Sequence, residues 1–153
     1  MIQEHYPLRQ YRELEKGEFF CVFGDPAESQ DYCAATAVSK KYYDYPLVFN
    51  TVTDSAQFGY ELNSLCKYIQ NQTAIIPKLA VERNTGQATI HVLKTLNYPN
   101  LFRMVDFTAQ ASHEQGGIGW VTTGHESAGE IQGTRRKMFD DFALALRQGL
   151  PKL

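Results

Sequence analysis

Three acids fall within seven residues in the stretch Gly24-Asp25-Pro26-Ala27-Glu28-Ser29-Gln30-Asp31-Tyr32. An apolar run, Phe19-Phe20-Cys21-Val22-Phe23, precedes it, and a second, Cys33-Ala34-Ala35-Thr36-Ala37-Val38, follows. Asp25 therefore stands where a first strand ends, in an acidic turn containing Pro26. A carboxylate held at a strand end, with more oxygen ligands nearby, suits a hard divalent cation. Glu82 closes another strand-like segment further on. If the two strands lie parallel and side by side, about 4.8 Å apart, Asp25 and Glu82 can share an ion. Mg²⁺ is commonly held by one or two carboxylates plus waters and phosphate oxygens. Two such ions can activate water and stabilise the leaving oxygen in phosphodiester cleavage. Separately, Asp before Pro is also a common turn former, and Glu82 alone reads equally well as a solvated strand end. Their pairing at matching strand ends carries more weight than either residue.

A two-metal site normally needs a third carboxylate. Asp31 could support the turn or bind through water. Asp141 lies three residues after Met138 and four before Ala145, on the inward face of an expected last helix, whereas Asp140 points away. A salt bridge from Asp141 to Arg135 or Arg136, or simple solvation, competes with the metal role. Arg135-Arg136-Lys137 sits at that helix's start, where cations oppose the helix dipole. A phosphate backbone would compensate, meeting free N–H groups and three basic side chains; a solvated basic turn is the plainer alternative. Arg83, beside Glu82, is a further phosphate contact in this scheme. His113 and His125 lack metal-ligand spacing and read as surface residues, and Trp120 as an anchor for its loop.

The elements that must position these residues follow from periodicity. Residues 1–17 are polar and charged and read as a linker or entry arm. Strands are expected over 18–24, 32–39 and 47–52; their short connections favour an antiparallel meander. Asp54 with Gln57 resembles a capping box. Phe58, Leu62, Leu65, Cys66 and Ile69 then mark one helical face over 54–71. A fourth strand covers 73–82, with Pro77 restricting its first half. A helix over 86–96 and a fifth strand over 101–105 follow. Residues 107–133 are Gly-rich and read as a long loop with a short strand near 118–121. A helix over 134–148, capped by Thr134 and facing inward with Met138, Phe142, Ala145 and Leu146, ends at Gly149 and Pro151.

At 153 residues the chain has the length of one domain. Its net charge of −2 supplies no global attraction to nucleic acid, so a DNA partner would need a local basic patch. No apolar run approaches the roughly 20 residues that span a bilayer. The N-terminus lacks signal-peptide character, which points to an intracellular protein. Cys21, Cys33 and Cys66 read as reduced thiols.

In order along the chain, Gly24-Asp25-Pro26-Ala27 with Asp31-Tyr32, then Val81-Glu82-Arg83-Asn84 with Gly86, then Gly119-Trp120-Val121-Thr122, then Thr134-Arg135 with Lys137-Met138, resemble the nuclease domain of phage large terminase subunits. The resemblance covers roughly residues 17–149. It implies a ribonuclease H-like α/β fold, with three antiparallel strands and then parallel strands in a mixed sheet flanked by helices. It implies an Mg²⁺- or Mn²⁺-dependent endonuclease that cuts concatemeric double-stranded viral DNA during packaging in the host cytoplasm. Partners implied with it are the terminase ATPase domain, the small terminase subunit and the portal. No Gly-rich phosphate loop ending in Gly-Lys-Ser/Thr is present, consistent with the motor being elsewhere. By the same resemblance Asp25 and Glu82 bind metal, and a third Asp belongs to a motif beyond Leu153. Residues 18–153 would then be a nuclease domain lacking its C-terminal part. Either the chain is a fragment, or Asp141 substitutes, or the activity is lost. The family's Thr-Arg-Pro stands here as Thr134-Arg135-Arg136. A Holliday-junction resolvase or integrase-like transferase is the rival enzyme, and a catalytically incomplete DNA- or partner-binding fragment the rival outside enzymes.

Overall fold

The computed structural model describes residues 3–5, 7–27, 31–105, 115–121, 143, 144, 147 and 148. The strands among them are β1 (Gln3–His5), β2 (Leu8–Gln10), β3 (Phe20–Asp25), β4 (Asp31–Ser39), β5 (Leu47–Thr53), β6 (Lys78–Val81), β7 (Arg103–Val105) and β8 (Gln115–Ile118). The helices are α1 (Ser55–Thr73) and α2 (Gln87–Thr95). Six strands form one mixed sheet in the order β1-β2-β5-β4-β3-β6, and β7 and β8 form a separate antiparallel pair.

The expected meander is present. β3 pairs antiparallel with β4, and β4 with β5. Along β4, Cys33, Ala35, Ala37 and Ser39 are buried while Ala34, Thr36 and Val38 are only half-buried. The period of two thus turns one set of side chains toward the helix layer. α1 covers that face with Phe58, Leu62, Leu65, Cys66 and Ile69, all buried and spaced as expected for one helical stripe. Phe20, Val22, Leu47, Phe49, Leu79 and Val81 meet it from the strands. Asp54 caps α1: its carboxylate accepts the Ala56 and Gln57 backbone N–H groups, each at 2.9 Å. The helix continues to Thr73 and stops at Ala74, whose φ of 63° is left-handed. β6 is accordingly shorter than the expected 73–82 segment and begins after Pro77, which cannot donate to a ladder.

The N-terminal segment differs from an arm. β1 and β2 form an antiparallel hairpin, and β2 pairs with β5, extending the sheet edge. Leu8 packs against the core, Leu14 is buried, and the Tyr68 hydroxyl of α1 donates to the Gln10 side chain at 2.5 Å. The hydrophobic content of this segment is low. Backbone pairing to an open edge, scattered apolar contacts and polar ties such as this one hold it, and none leaves a periodic signal.

Next to this end of the sheet lies a charged cluster. Arg12 makes a two-pronged contact with Asp44, at 2.7 and 2.9 Å, and also ion-pairs with Glu18. Glu18 further accepts the Ser39 hydroxyl at 2.5 Å and the Glu15 N–H at 3.0 Å. Burial alone would raise the Glu18 carboxyl; the Arg12 and Ser39 hydrogen bonds, the Glu15 N–H and the Arg12 charge overcome it and hold the group below its ordinary range.

β6 lies parallel beside β3, pairing Cys21 to Lys78 through Gly24 to Val81. On its far side Leu79 bridges Leu101 and Glu82 bridges Trp120, both parallel. The expected fifth strand is therefore divided: Leu101 touches β6, whereas β7 turns away to pair with β8. The expected strand near 118–121 is likewise shifted, with β8 at Gln115–Ile118 and the next residues against β6. Cys33 and Cys66 are buried and Cys21 half-buried, all as free thiols; burial holds the Cys66 thiol up at about 12 despite a hydrogen bond with Tyr98.

Candidate metal centre

The sequence-level condition for a shared site was that β3 and β6 run parallel in register, and they do. Gly24 faces Val81, so Asp25 and Glu82 follow at neighbouring strand ends. The Glu82 N–H donates to the Gly24 carbonyl at 2.9 Å, joining the two ends through the backbone. Strand alternation places Phe23, Asp25, Ala80 and Glu82 on the face away from α1, since Gly24 faces Leu62 and Phe58.

Glu82 is held from both sides. The Trp120 N–H donates to the Val81 carbonyl at 3.0 Å, and the Arg83 N–H donates to the Trp120 carbonyl at 2.7 Å. Two glycines permit this. Gly119 has a φ of +83°, and a Cβ there would stand 2.3 Å from the Val81 carbonyl oxygen. At Gly86 a Cβ would stand 2.1 Å from the Glu82 carbonyl oxygen, so only glycine lets the turn after Glu82 close. The Trp120 ring meets Phe23 edge-on, with centroids 5.9 Å apart, anchoring this stretch to β3 as expected.

The turns carrying the acids are also tied to each other. The Thr85 hydroxyl donates to the Pro26 carbonyl at 2.6 Å and lies 3.2 Å from Glu82 Oε2, while the Thr85 N–H donates to that same oxygen at 3.3 Å. The Ser55 hydroxyl donates to the Ala27 carbonyl at 2.8 Å, and the Ala27 N–H donates to Cys33 Sγ at 3.3 Å. Thr89 of α2 donates to the Ser55 carbonyl at 2.5 Å. None of Thr85, Ser55, Cys33 and Thr89 was singled out in the sequence for this role. Each makes a contact across at least six residues of chain, which no local pattern encodes.

Asp25 is exposed, whereas Glu82 is 8% exposed. Partial burial raises the Asp25 carboxyl above its ordinary range, and the nearby charge of Glu82 raises it further. The two acids thus stand at neighbouring strand ends, with the charge of Glu82 acting against ionisation of Asp25. Their hard oxygen donors, adjacent at one sheet end and open to solvent through Asp25, fit a divalent cation that keeps waters in its shell. Among the described residues no group of three or more His, Cys, Asp and Glu assembles. Asp31 therefore does not join the pair. It starts β4 three positions beyond Ala34, the partner of Asp25, and shares the alternation of buried Cys33 instead. Its Oδ1 accepts the Tyr32 N–H at 2.8 Å, which is turn chemistry.

Arg83 is half-buried beside Glu82 and lies over Gly117, where a Cβ would stand 1.8 Å from its Nη1. Arg135, Arg136, Lys137, Asp140, Asp141, His113, His125 and Glu28 lie outside the described residues. Of the expected last helix, residues 143, 144 and 147 are described and helical. No helix among the described residues is long and apolar enough to cross a membrane.

No protein-family description and no curated protein sequence matches this chain. Solved structures do. The crystal structure of the large terminase nuclease from thermophilic phage G20c with bound magnesium superposes over 97% of this chain and 64% of its own, with a TM-score of 0.65 and 9% identity. The same nuclease with bound zinc covers 97% of this chain and 70% of its own, with a TM-score of 0.64 and 9% identity. A further structure of that nuclease covers 62% of this chain and 49% of its own, at a TM-score of 0.53 and 10% identity. This chain thus spans about half to 70% of the length of those nucleases. At such identities the likeness is one of fold, and the fold is the ribonuclease H-like α/β fold of a phage large terminase nuclease.

Proposed function

We propose that this chain is a divalent-metal-dependent DNA endonuclease of the kind that cuts concatemeric double-stranded DNA for packaging. The observation that carries the reading is the convergence of Asp25 and Glu82 at the ends of two parallel, hydrogen-bonded strands. The fold shared with a nuclease crystallised with bound magnesium and with bound zinc supports it.

Asp25 and Glu82 would hold the ion, Mg²⁺ or Mn²⁺, with Asp141 a candidate third ligand. A bound ion of this class polarises a phosphoryl oxygen and lowers the pKa of a water. Asp25, the exposed member, faces solvent and so faces an incoming phosphate. Glu82, buried and fastened by the Thr85 N–H, fixes the position about which the other ligands arrange. Arg83 sits one residue from Glu82, and Arg135, Arg136 and Lys137 add cationic character; their role is to bind the DNA backbone. Those contacts orient a phosphodiester without reading sequence. The terminase ATPase domain, small subunit and portal are the partners that go with this reading.

Plasmid cleavage in Mn²⁺ tests it. The wild-type chain is expected to nick and linearise supercoiled plasmid, and EDTA to stop it. Asp25→Asn should lose more activity than the 10- to 100-fold, roughly, that follows mutation of a metal's outer partners. Cleavage by Asp25→Asn at the wild-type rate would sink the assignment.

A further inference from the structure

Two metal-holding carboxylates at the ends of separate strands need something that sets their separation. The ladder between β3 and β6 does this only up to Gly24 and Glu82; Asp25 is still paired with Ala34 of β4 but not with β6, and beyond the acids the chain enters the Pro26–Ala27 turn on one side and the Arg83–Gly86 turn on the other. Resting on the nuclease reading above, we infer that Thr85 is a positioning residue that clamps these turns together and so sets the geometry of the Asp25–Glu82 pair.

Thr85 is placed to serve both acids. Its hydroxyl has one proton and two oxygens within reach, the Pro26 carbonyl at 2.6 Å and Glu82 Oε2 at 3.2 Å. The shorter contact takes the proton. The backbone N–H, at 3.3 Å, is then a donor to Glu82. One residue thus grips the carbonyl immediately after Asp25 with its side chain and the Glu82 carboxylate with its main chain. The contact spans 59 residues of sequence, so it is tertiary rather than a local turn bond. The clamp is backed from the helix layer. Ser55 fastens the adjoining Ala27 carbonyl at 2.8 Å, and Thr89 holds Ser55 through its carbonyl at 2.5 Å. Displacement of the Pro26 turn would carry Asp25 away from Glu82 even though neither carboxylate had been changed.

Thr85→Val keeps the side-chain shape and the N–H to Glu82 while deleting the hydroxyl, and with it both the tie to Pro26 and the 3.2 Å contact with Glu82 Oε2. Thr85→Ser keeps the hydroxyl. The experiment is a Mn²⁺ titration of the wild-type chain, both Thr85 variants and Asp25→Asn. Free Mn²⁺ is read by electron paramagnetic resonance, well below each variant's unfolding temperature, with folding checked by circular dichroism. Thr85→Val is expected to weaken Mn²⁺ binding about tenfold or more, the scale on which outer partners of metal sites act. Thr85→Ser should restore most of the loss, and the Mn²⁺ concentration for half-maximal plasmid cleavage should move in parallel. A folded Thr85→Val that is less heat-stable but binds Mn²⁺ as tightly as wild type makes Thr85 merely structural and overturns the inference. So does a Thr85→Ser that binds as weakly as Thr85→Val. If Asp25→Asn abolishes Mn²⁺ binding in either of those cases, the metal site itself stands. Binding indifferent to Asp25→Asn overturns the site and the clamp together.

Discussion

Two acids flank the same strand and behave in opposite ways. Glu18 lies just before β3, with its side chain wholly buried, and is met by Arg12, the Ser39 hydroxyl and the Glu15 N–H. Asp25 ends β3 and is met by a second acid. The first carboxyl is held below its ordinary range and the second above it. Glu18 has had its burial cost answered by donors and so contributes to the fold. Among the described residues no donor answers Asp25 in this way, and its carboxyl stays raised. A position where like charges are brought together by a rigid ladder is a place where an added cation gains the most.

The largest break in this comparison comes from removing each acid with near-isosteric amides. Asp25→Asn should eliminate cleavage while leaving the thermal midpoint in EDTA unchanged or higher, since it removes a repulsion. Glu18→Gln should do the reverse. It replaces the buried carboxylate shared by Arg12, the Ser39 hydroxyl and the Glu15 N–H with a neutral amide and should cost roughly 3 kcal/mol, at the lower end for a broken buried pair because Arg12 is partly exposed and keeps Asp44. In a chain of this length that is a fall of about 10 °C in the midpoint by calorimetry. An Asp25→Asn variant that unfolds as easily as Glu18→Gln would erase the distinction.

Acid titration sharpens the contrast through its sign. The Glu18 carboxyl is depressed in the folded state, so its stabilisation is present above its unfolded pKa near 4.5 and fades as pH falls through the lower folded value. The Asp25 carboxyl is raised, so the folded state favours its protonated form. Its contribution is present below the unfolded value near 3.8 and is lost as pH rises through the folded one. Denaturant melts in EDTA across acidic pH should therefore show Glu18→Gln flattening the loss of stability in acid, and Asp25→Asn steepening it slightly. Saturating Mg²⁺ should stabilise wild type by mass action and leave Asp25→Asn unmoved.

The smallest effect is expected from a pair that looks like the Glu18 cluster but lies in solvent. Lys41 Nζ meets Glu15 at 2.5 Å, and the Tyr42 hydroxyl donates to the same carboxylate at 2.6 Å; Lys41 and Glu15 are exposed and Tyr42 is half-buried. Screening and side-chain entropy leave such pairs little net value. Lys41→Ala should give a thermal midpoint within error of wild type. A clear drop would show that burial is not what separates the two acidic sites.

Much of this was legible in the residues. The Phe58–Ile69 stripe and the Asp54 cap specify α1, because helical period and capping are local matters. Alternation in β4 and short connections specify the meander. Asp25 and Glu82 stood out because each closes a strand. What was not legible is nonlocal. The β1–β2 hairpin has no alternation to betray it and exists because β5 offers an open edge. Arg12 reaches Asp44 across 32 residues, and Thr85 reaches Pro26 across 59. Division of the fifth strand between β6 and β8 likewise depends on which partner lies nearest.

By itself the sequence determined β3, β4, β5, α1 and α2 and their inward faces, because propensity, period and caps act over a few residues. It also determined which acids stand at strand ends. Tertiary structure alone decided that β6 lies parallel against β3 and that the two acids stand at neighbouring strand ends. It also decided that Glu18 is neutralised while Asp25 is opposed. Those outcomes depend on distances between residues far apart in the chain, and electrostatic and hydrogen-bond energies are set by such distances rather than by order along the backbone.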